Sequence, residues 1–199
     1  ARLSHDAWIS CHSCHTDGHS SGLLVDTLGD GDYGAPKRVP SLLGTGRTGP
    51  WGWTGQVKSL DEQVRKSVTT TMHGAELSDR QSADLVAFLK TLRMPASPHV
   101  HDAKLVRRGR LVFQGRGCAR CHTGESLTSN ATFDVGLSDE LGRRAFNPPS
   151  LRGLSHRAAF FHDGRVERLE HVVGRIRHML DDPLSDAESR ALLTYLRSL

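Results

Sequence analysis

The string CHSCH at residues 11–15 sets the reading of the whole chain. Its form, Cys-x-x-Cys-His, returns as CARCH at residues 118–122, and the two strings use all four cysteines. Four chemistries employ cysteines this close together. In the first, each string attaches a haem: two thiols one helical turn apart form thioethers with the vinyl groups, and the histidine that follows stands under the iron as its proximal ligand. That assigns Cys11, Cys14 and His15 to one haem and Cys118, Cys121 and His122 to another. The second is a single zinc site, but the chain between Cys14 and Cys118 far exceeds finger or ribbon spacing. The third, a redox dithiol, needs a βαβ setting and gives the trailing histidines no task. The fourth, two local disulfides, leaves His15 and His122 unexplained. Haem attachment uses all six residues, so two covalent c-type haems are the expected cofactors.

Thioether attachment points to an oxidising space, a bacterial periplasm or cell surface. The rest of the composition agrees. The chain has 199 residues, 37% hydrophobic and 24% charged, with a net charge of +4. That apolar content is thin for two cores, and buried cofactors would add the missing apolar area. Lys and Arg are scattered among acids without a basic block or interleaved aromatics, which argues against nucleic acid as a partner. No run of 18 apolar residues is present to span a membrane, and no signal peptide is visible. The chain opens at Ala1 as a mature product or a fragment would.

The haem strings belong to a longer repeat. A shift of 107 lays Cys11 on Cys118, and LSDRQSADLVAFLKTL (77–92) on LSDAESRALLTYLRSL (184–199). A shift of 109 lays PSLLG (40–44) on PSLRG (149–153), and WTGQVKSLDEQV (53–64) on HDGRVERLEHVV (162–173). The expected organisation is a duplicated c-type cytochrome domain, residues 1–94 and 103–199, joined by a linker at 95–102 that contains Pro95 and Pro98.

Each repeat has a helical plan. Ser59 to Glu62 is a capping box that opens a helix with Leu60, Val64 and Val68 on one stripe. Ser78 to Gln81 and Ser185 to Glu188 open the final helices, which should bury Leu85, Leu89 and Leu92 in one repeat and Leu192, Leu196 and Leu199 in the other. No useful strand alternation is present, so the expected fold class is all-α, with long loops around the haems. The repeats differ at their starts. Residues 104–116 read as a helix ahead of CARCH, with Gly109 and Phe113 where small c-type cytochrome domains commonly carry glycine and an aromatic. Ahead of CHSCH there is almost no room for such a helix.

With these residues in view, the chain resembles the bacterial diheme cytochrome c peroxidase superfamily, which includes the diheme enzymes that build tryptophylquinone cofactors. The family's first-domain W-D-G-R…L-E-E-Q run stands here as Trp53-Thr-Gly-Gln56 and Leu60-Asp-Glu-Gln63. Its second-domain pattern stands as Pro149-Ser-Leu-Arg-Gly153, Phe160-Phe-His-Asp-Gly164 and Leu169-Glu-His-Val-Val173. The resemblance implies two interacting haems with Trp53 between them, haem-edge packing being the plainer role for that tryptophan. It gives His162 a structural or haem-contacting role. It also raises a calcium ion between the domains, with Asn147 as a candidate ligand, and redox partner proteins such as small cytochromes or cupredoxins. Domains of this kind also end longer secreted chains, and the short start of the first repeat leaves room for an upstream domain.

Sixth ligands remain to be assigned. The repeat superposes Met72 on Met179, in the segment where c-type domains present a distal methionine; His73 and His178 flank the pair and are alternatives. Met94 has no counterpart and reads as packing. In the peroxidases a glutamate follows the L-E-E-Q glutamine by ten residues. Here Gln63 is kept, and the count from it ends on His73 rather than on an acid. The expected function is therefore electron transfer through two six-coordinate haems. The alternative is peroxide reduction at an open first haem, with Gln63, His73 and Trp53 as its catalytic residues and electrons relayed from the second haem.

Overall fold

The computed structural model describes residues 2–199. Among them, six α-helices carry the fold: α1 (Cys11–Cys14), α2 (Leu60–Lys66), α3 (Asp79–Thr91), α4 (Ala103–Gly115), α5 (Leu169–Gly174) and α6 (Asp186–Arg197). The starts of four of them follow side-chain chemistry. Ser59, Ser78 and Ser185 each accept a hydrogen bond from the backbone three residues on, and Asp102 caps α4 through Lys104 and Leu105. Gln81 and Glu188 reach back to complete the boxes at α3 and α6. Beyond α2 the chain widens into a π-helical turn at Ser67–Thr71 before reaching Met72.

The fold is mostly helical rather than purely so. Two antiparallel two-residue ladders pair β1 (Leu24–Val25) with β2 (Lys37–Arg38) and β3 (Phe133–Asp134) with β4 (Ala145–Phe146). Two residues per strand are too few to print an alternation in the sequence, which is why the all-α expectation missed them.

Packing is uneven along the chain. In the C-terminal part α4 lies against α6 at near-backbone contact: a Cβ on Gly109 would sit 2.0 Å from the Ala191 carbonyl oxygen. Beside that crossing the Phe113 and Tyr195 rings meet edge to face, with centroids 5.4 Å apart. Phe113, Leu154, Leu169, Val173, Leu192, Tyr195 and Leu196 form one buried cluster there. In the N-terminal part the buried cluster is only Val64, Val68 and Leu77, with Leu3, Leu85, Val86 and Leu89 partly covering it. Leu85, Leu89 and Leu92, expected to be buried, are all partly exposed. Ahead of the first string the described residues form a 3-10 turn, His5–Ala7, where α4 stands ahead of the second, and the Leu3 carbonyl passes so close to Gly74 that a Cβ would meet it at 1.9 Å.

The two parts are held together by charge. Lys37 lies 3.0 Å from Asp139 and 3.3 Å from Asp30, and Arg143 lies 2.6 Å from Asp30. The Asp139 side chain has no exposure at all. Met94 packs against Gly153 and lies near Gly44, bringing the end of the N-terminal part onto the C-terminal one.

Candidate functional site

The first cysteine string forms α1, a single turn that places Cys11 and Cys14 one turn apart with His15 as the cap. The second does the same with a 3-10 turn, Cys118–Arg120, entered through Gly117 at φ 78. All four thiols are free. Burial pushes the Cys118 and Cys121 thiols above the usual range, so neither is poised as a thiolate. Among the described residues no three His, Cys, Asp or Glu side chains gather as a metal site, so the two pairs do not converge on one zinc ion.

The histidines of the strings are oriented alike. Nδ1 of His15 lies 3.0 Å from the Pro40 carbonyl, and Nδ1 of His122 lies 3.2 Å from the Leu127 carbonyl. A carbonyl acceptor fixes the proton on Nδ1 and turns Nε2, bare of its proton, toward whatever binds there. Burial holds both rings neutral. His15 is shifted down, and His122 falls to about 4, lowered first by burial and then by the nearby charges of His178 and Arg157, against the pull of the Leu127 carbonyl. A neutral imidazole with Nδ1 engaged is what an iron requires.

Of the proposed opposing residues, Met72 is buried, with 4% exposure, while Met179 is 47% exposed. Beside Met179 the ring of His178 turns inward, edge-on to Phe161 with centroids 5.4 Å apart. His178 lies near enough to His122 to oppose its protonation, and its buried Nδ1 has no hydrogen-bond partner. His73 is exposed on a left-handed backbone turn (φ 50) and lines a surface cleft with His5, Asp6 and Trp8. Gln63 donates to the Ser67 hydroxyl at 3.1 Å, within its own helical segment.

Trp53 and His162 meet between the two parts, edge to face at 6.5 Å, and Phe146 stacks on the other side of His162 at 4.3 Å. Trp53 is pinned at both ends: Nε1 donates to the Arg38 carbonyl at 2.7 Å, and its own carbonyl accepts from the Asn147 amide at 2.8 Å. The Asn147 side chain donates to the Ser129 and Ala131 carbonyls at 2.9 and 3.0 Å. His162 is 2% exposed, and its Nε2 is buried without a partner.

These features test the fit of a haem group. The buried Nε2 of His162, Nδ1 of His178 and Nε of Arg38 have no partner within the protein. Buried polar groups are otherwise paired, so a missing group is expected at their side. Leu85, Leu89 and Leu92 are only partly buried, and Leu92 lies beside Gly18, just past the first string. An iron porphyrin supplies both the apolar face and the acceptors, and the residues fit it. Sequence reasoning missed Arg38 and the Pro40 carbonyl. The repeated PSL(L/R)G string marked the proline's place but not its carbonyl's task.

Comparison with known proteins agrees. A family profile, di-haem cytochrome c peroxidase, matches residues 1–98. Over the full chain, a cytochrome c551 peroxidase of Nitrosomonas europaea is 24% identical, with 76% of its own length covered. The methylamine utilization protein MauG of Methylophilus methylotrophus is 23% identical, with 78% covered. By these matches the chain is similar to the di-haem cytochrome c peroxidase family. A chain of Kuenenia stuttgartiensis hydrazine synthase shares the fold, with a TM-score of 0.79 at 22% identity, covering all of this chain and 83% of that one. Likeness to that family implies haem as the cofactor. No helix among the described residues is long and apolar enough to cross a membrane.

Proposed function

We propose that the chain is an electron-transfer module built from one c-type cytochrome domain used twice, residues 1–94 and 103–199, with one covalent haem in each. The duplication reading draws support from elements that recur at the sequence offsets. The 3-10 turn Thr45–Arg47 corresponds to Leu154–His156, each entered through a left-handed glycine, Gly44 and Gly153. The bridge Trp51–Val57 corresponds to Phe160–Val166. In this reading Cys11 and Cys14 carry the first haem and His15 holds its iron; Cys118, Cys121 and His122 do the same for the second. Haem iron supplies a one-electron couple whose potential follows its axial ligands and their hydrogen bonds. The protein's contribution is to hold His15 and His122 in one tautomer and to bury both pockets.

The observation that carries the reading is His178, whose inward ring lies near enough to His122 to oppose its protonation and which we assign to the opposite side of the second iron; Met72, buried at 4% exposure, is assigned the same place at the first. Met179, the residue the repeat picks out, is half-exposed and is replaced in this role by its neighbour. With both irons closed, Trp53 and His162 give electrons a packed route between the parts. The Asn147 amide satisfies the neighbouring carbonyls by itself, so calcium has no part in this reading. Partners would be small redox proteins in the periplasm, where haem attachment takes place.

The peroxidase reading rests on one different observation, the surface cleft at His73, next in sequence to Met72. An electron paramagnetic resonance spectrum of the ferric protein separates the two. Two low-spin signals with no turnover of peroxide support transfer alone. A high-spin ferric signal, with rapid oxidation of the reduced protein by peroxide, overturns it in favour of the enzyme.

A further inference from the structure

Arg38 is a buried cation without a counter-ion. Its residue is 8% exposed, its guanidinium makes no hydrogen bond or ion pair among the described residues, and Nε is fully enclosed. Its backbone, by contrast, is held twice: the amide donates to the His162 carbonyl at 2.6 Å, and the carbonyl accepts from Trp53 Nε1 at 2.7 Å. The side chain is therefore fixed in place by residues from both parts of the molecule.

A second guanidinium faces the same region. Arg157 follows the 3-10 turn Leu154–His156 and donates only to the Ser150 and Arg152 carbonyls, never to a carboxylate. Its pKa falls to about 10, from burial first and from the charge of Arg38 second, and its own charge is felt by His122. One buried and one half-buried cation side by side repel each other and have given up hydration, so an anion between them is strongly favoured. The nearby acids are spent: Asp30 and Asp139 on Lys37 and Arg143, and Asp163 on Arg165. The missing anion comes from outside the polypeptide. Planar guanidinium forks select carboxylate or phosphate.

We propose that Arg38 and Arg157 together bind a carboxylate, and that this carboxylate is a propionate of the haem held by His122. The inference rests on the reading that His122 ligates a haem. It adds that the N-terminal part, through Arg38, supplies a charge that seats the haem of the C-terminal part. Because Arg38 is anchored by Trp53 and His162, the electrostatics of the second haem are tied to the aromatic contact between the parts.

The test uses the full haem-loaded chain as wild type, Arg38→Met and Arg38→Lys. Peptide mass spectrometry counts the haems, and potentiometric titration reads both midpoints. Removing a positive charge beside a propionate favours ferric iron. Arg38→Met should therefore lower one midpoint, that of the haem whose spectrum responds to His178→Ala, and leave the other in place. Its propionate bending band in resonance Raman should shift, and Arg38→Lys should restore most of both effects. Should Arg38→Met fail to fold, Arg38→Gln keeps the bulk and answers the same question. Two attached haems with both midpoints and the Raman band unchanged overturn the proposal. So does a wild-type midpoint that moves with added acetate or phosphate and stops moving in Arg38→Met, since the pair would then take a free anion. A wild-type chain without haem on Cys118 and Cys121 overturns the underlying reading instead, and the mass alone reveals it.

Discussion

His178 lies close enough to His122 that the charge of one ring opposes protonation of the other, although 56 positions of chain separate them. Phe161 steadies the His178 ring from the side, and Met179 next to it points to solvent. In the reading proposed above, His178 is the sixth ligand of the second haem. His178→Ala should convert the signal of one haem from low to high spin in the resonance spectrum and leave the other untouched. Met179→Ala should leave both unchanged. The opposite pattern would return the sixth position to methionine.

The α4–α6 crossing predicts a sharp glycine requirement. Gly109→Ala drives a methyl group into the Ala191 carbonyl and should cost about 1–3 kcal/mol, as overpacking does. Gly115→Ala, on the same helix with nothing within 4 Å, is the control. It should change stability by no more than about 1 kcal/mol, with the gain falling on the alanine side. Denaturant titration of both variants checks the contrast.

Tyr195 and Phe88 hold matching places on α6 and α3, yet they are 9% and 59% exposed. Tyr195→Ala removes a ring from the packed crossing and should cost about 3–5 kcal/mol. Phe88→Ala should stay within about 0.5 kcal/mol of the parent. A large loss at Phe88 would mean that α3 is covered in solution.

Lys37 neutralises two carboxylates, one of them wholly enclosed. Lys37→Met removes its hydrogen bond to that carboxylate, leaving Arg143 at 3.7 Å, and should cost about 1.5–3 kcal/mol at neutral pH. The pH dependence follows from Asp139. Burial alone would raise its pKa, but the hydrogen bonds from Lys37 and the Arg143 amide outweigh burial and hold it below the usual carboxylate range. A group with a depressed folded-state pKa stabilises the protein above its unfolded value, about 3.9, and that stability is lost as pH falls through the folded pKa. The gap between wild type and Lys37→Met should therefore be full at pH 7 and shrink below about pH 4. Unfolding curves across that range measure it.

Much of this was legible in the chain itself. Serine caps at Ser59, Ser78 and Ser185 marked helix starts because side-chain and backbone partners lie three residues apart, although at Ser59 the box stays open and Glu62 accepts from the Lys58 amide instead. The cysteine strings were equally local. What stayed hidden was non-local. A repeat aligns positions, not side-chain directions, so it could not choose between His178, whose ring turns onto Phe161, and the half-exposed Met179. Arg38 gave no signal at all, since its meaning lies in what it lacks: a partner that no pattern in 199 letters could show to be absent. The interlocking of Lys37 with Asp139 joins residues 102 positions apart, and sequence alone has no means of pairing them.

The unequal burial of the two closing helices bears on the cofactor reading proposed above. Seven side chains form the buried cluster beside α6, against three beside α3. If each part carries one haem, the first supplies a larger share of its surroundings' apolar contact than the second does. Loss of attachment at Cys11 and Cys14 should then loosen α3 more than loss of attachment at Cys118 and Cys121 loosens α6.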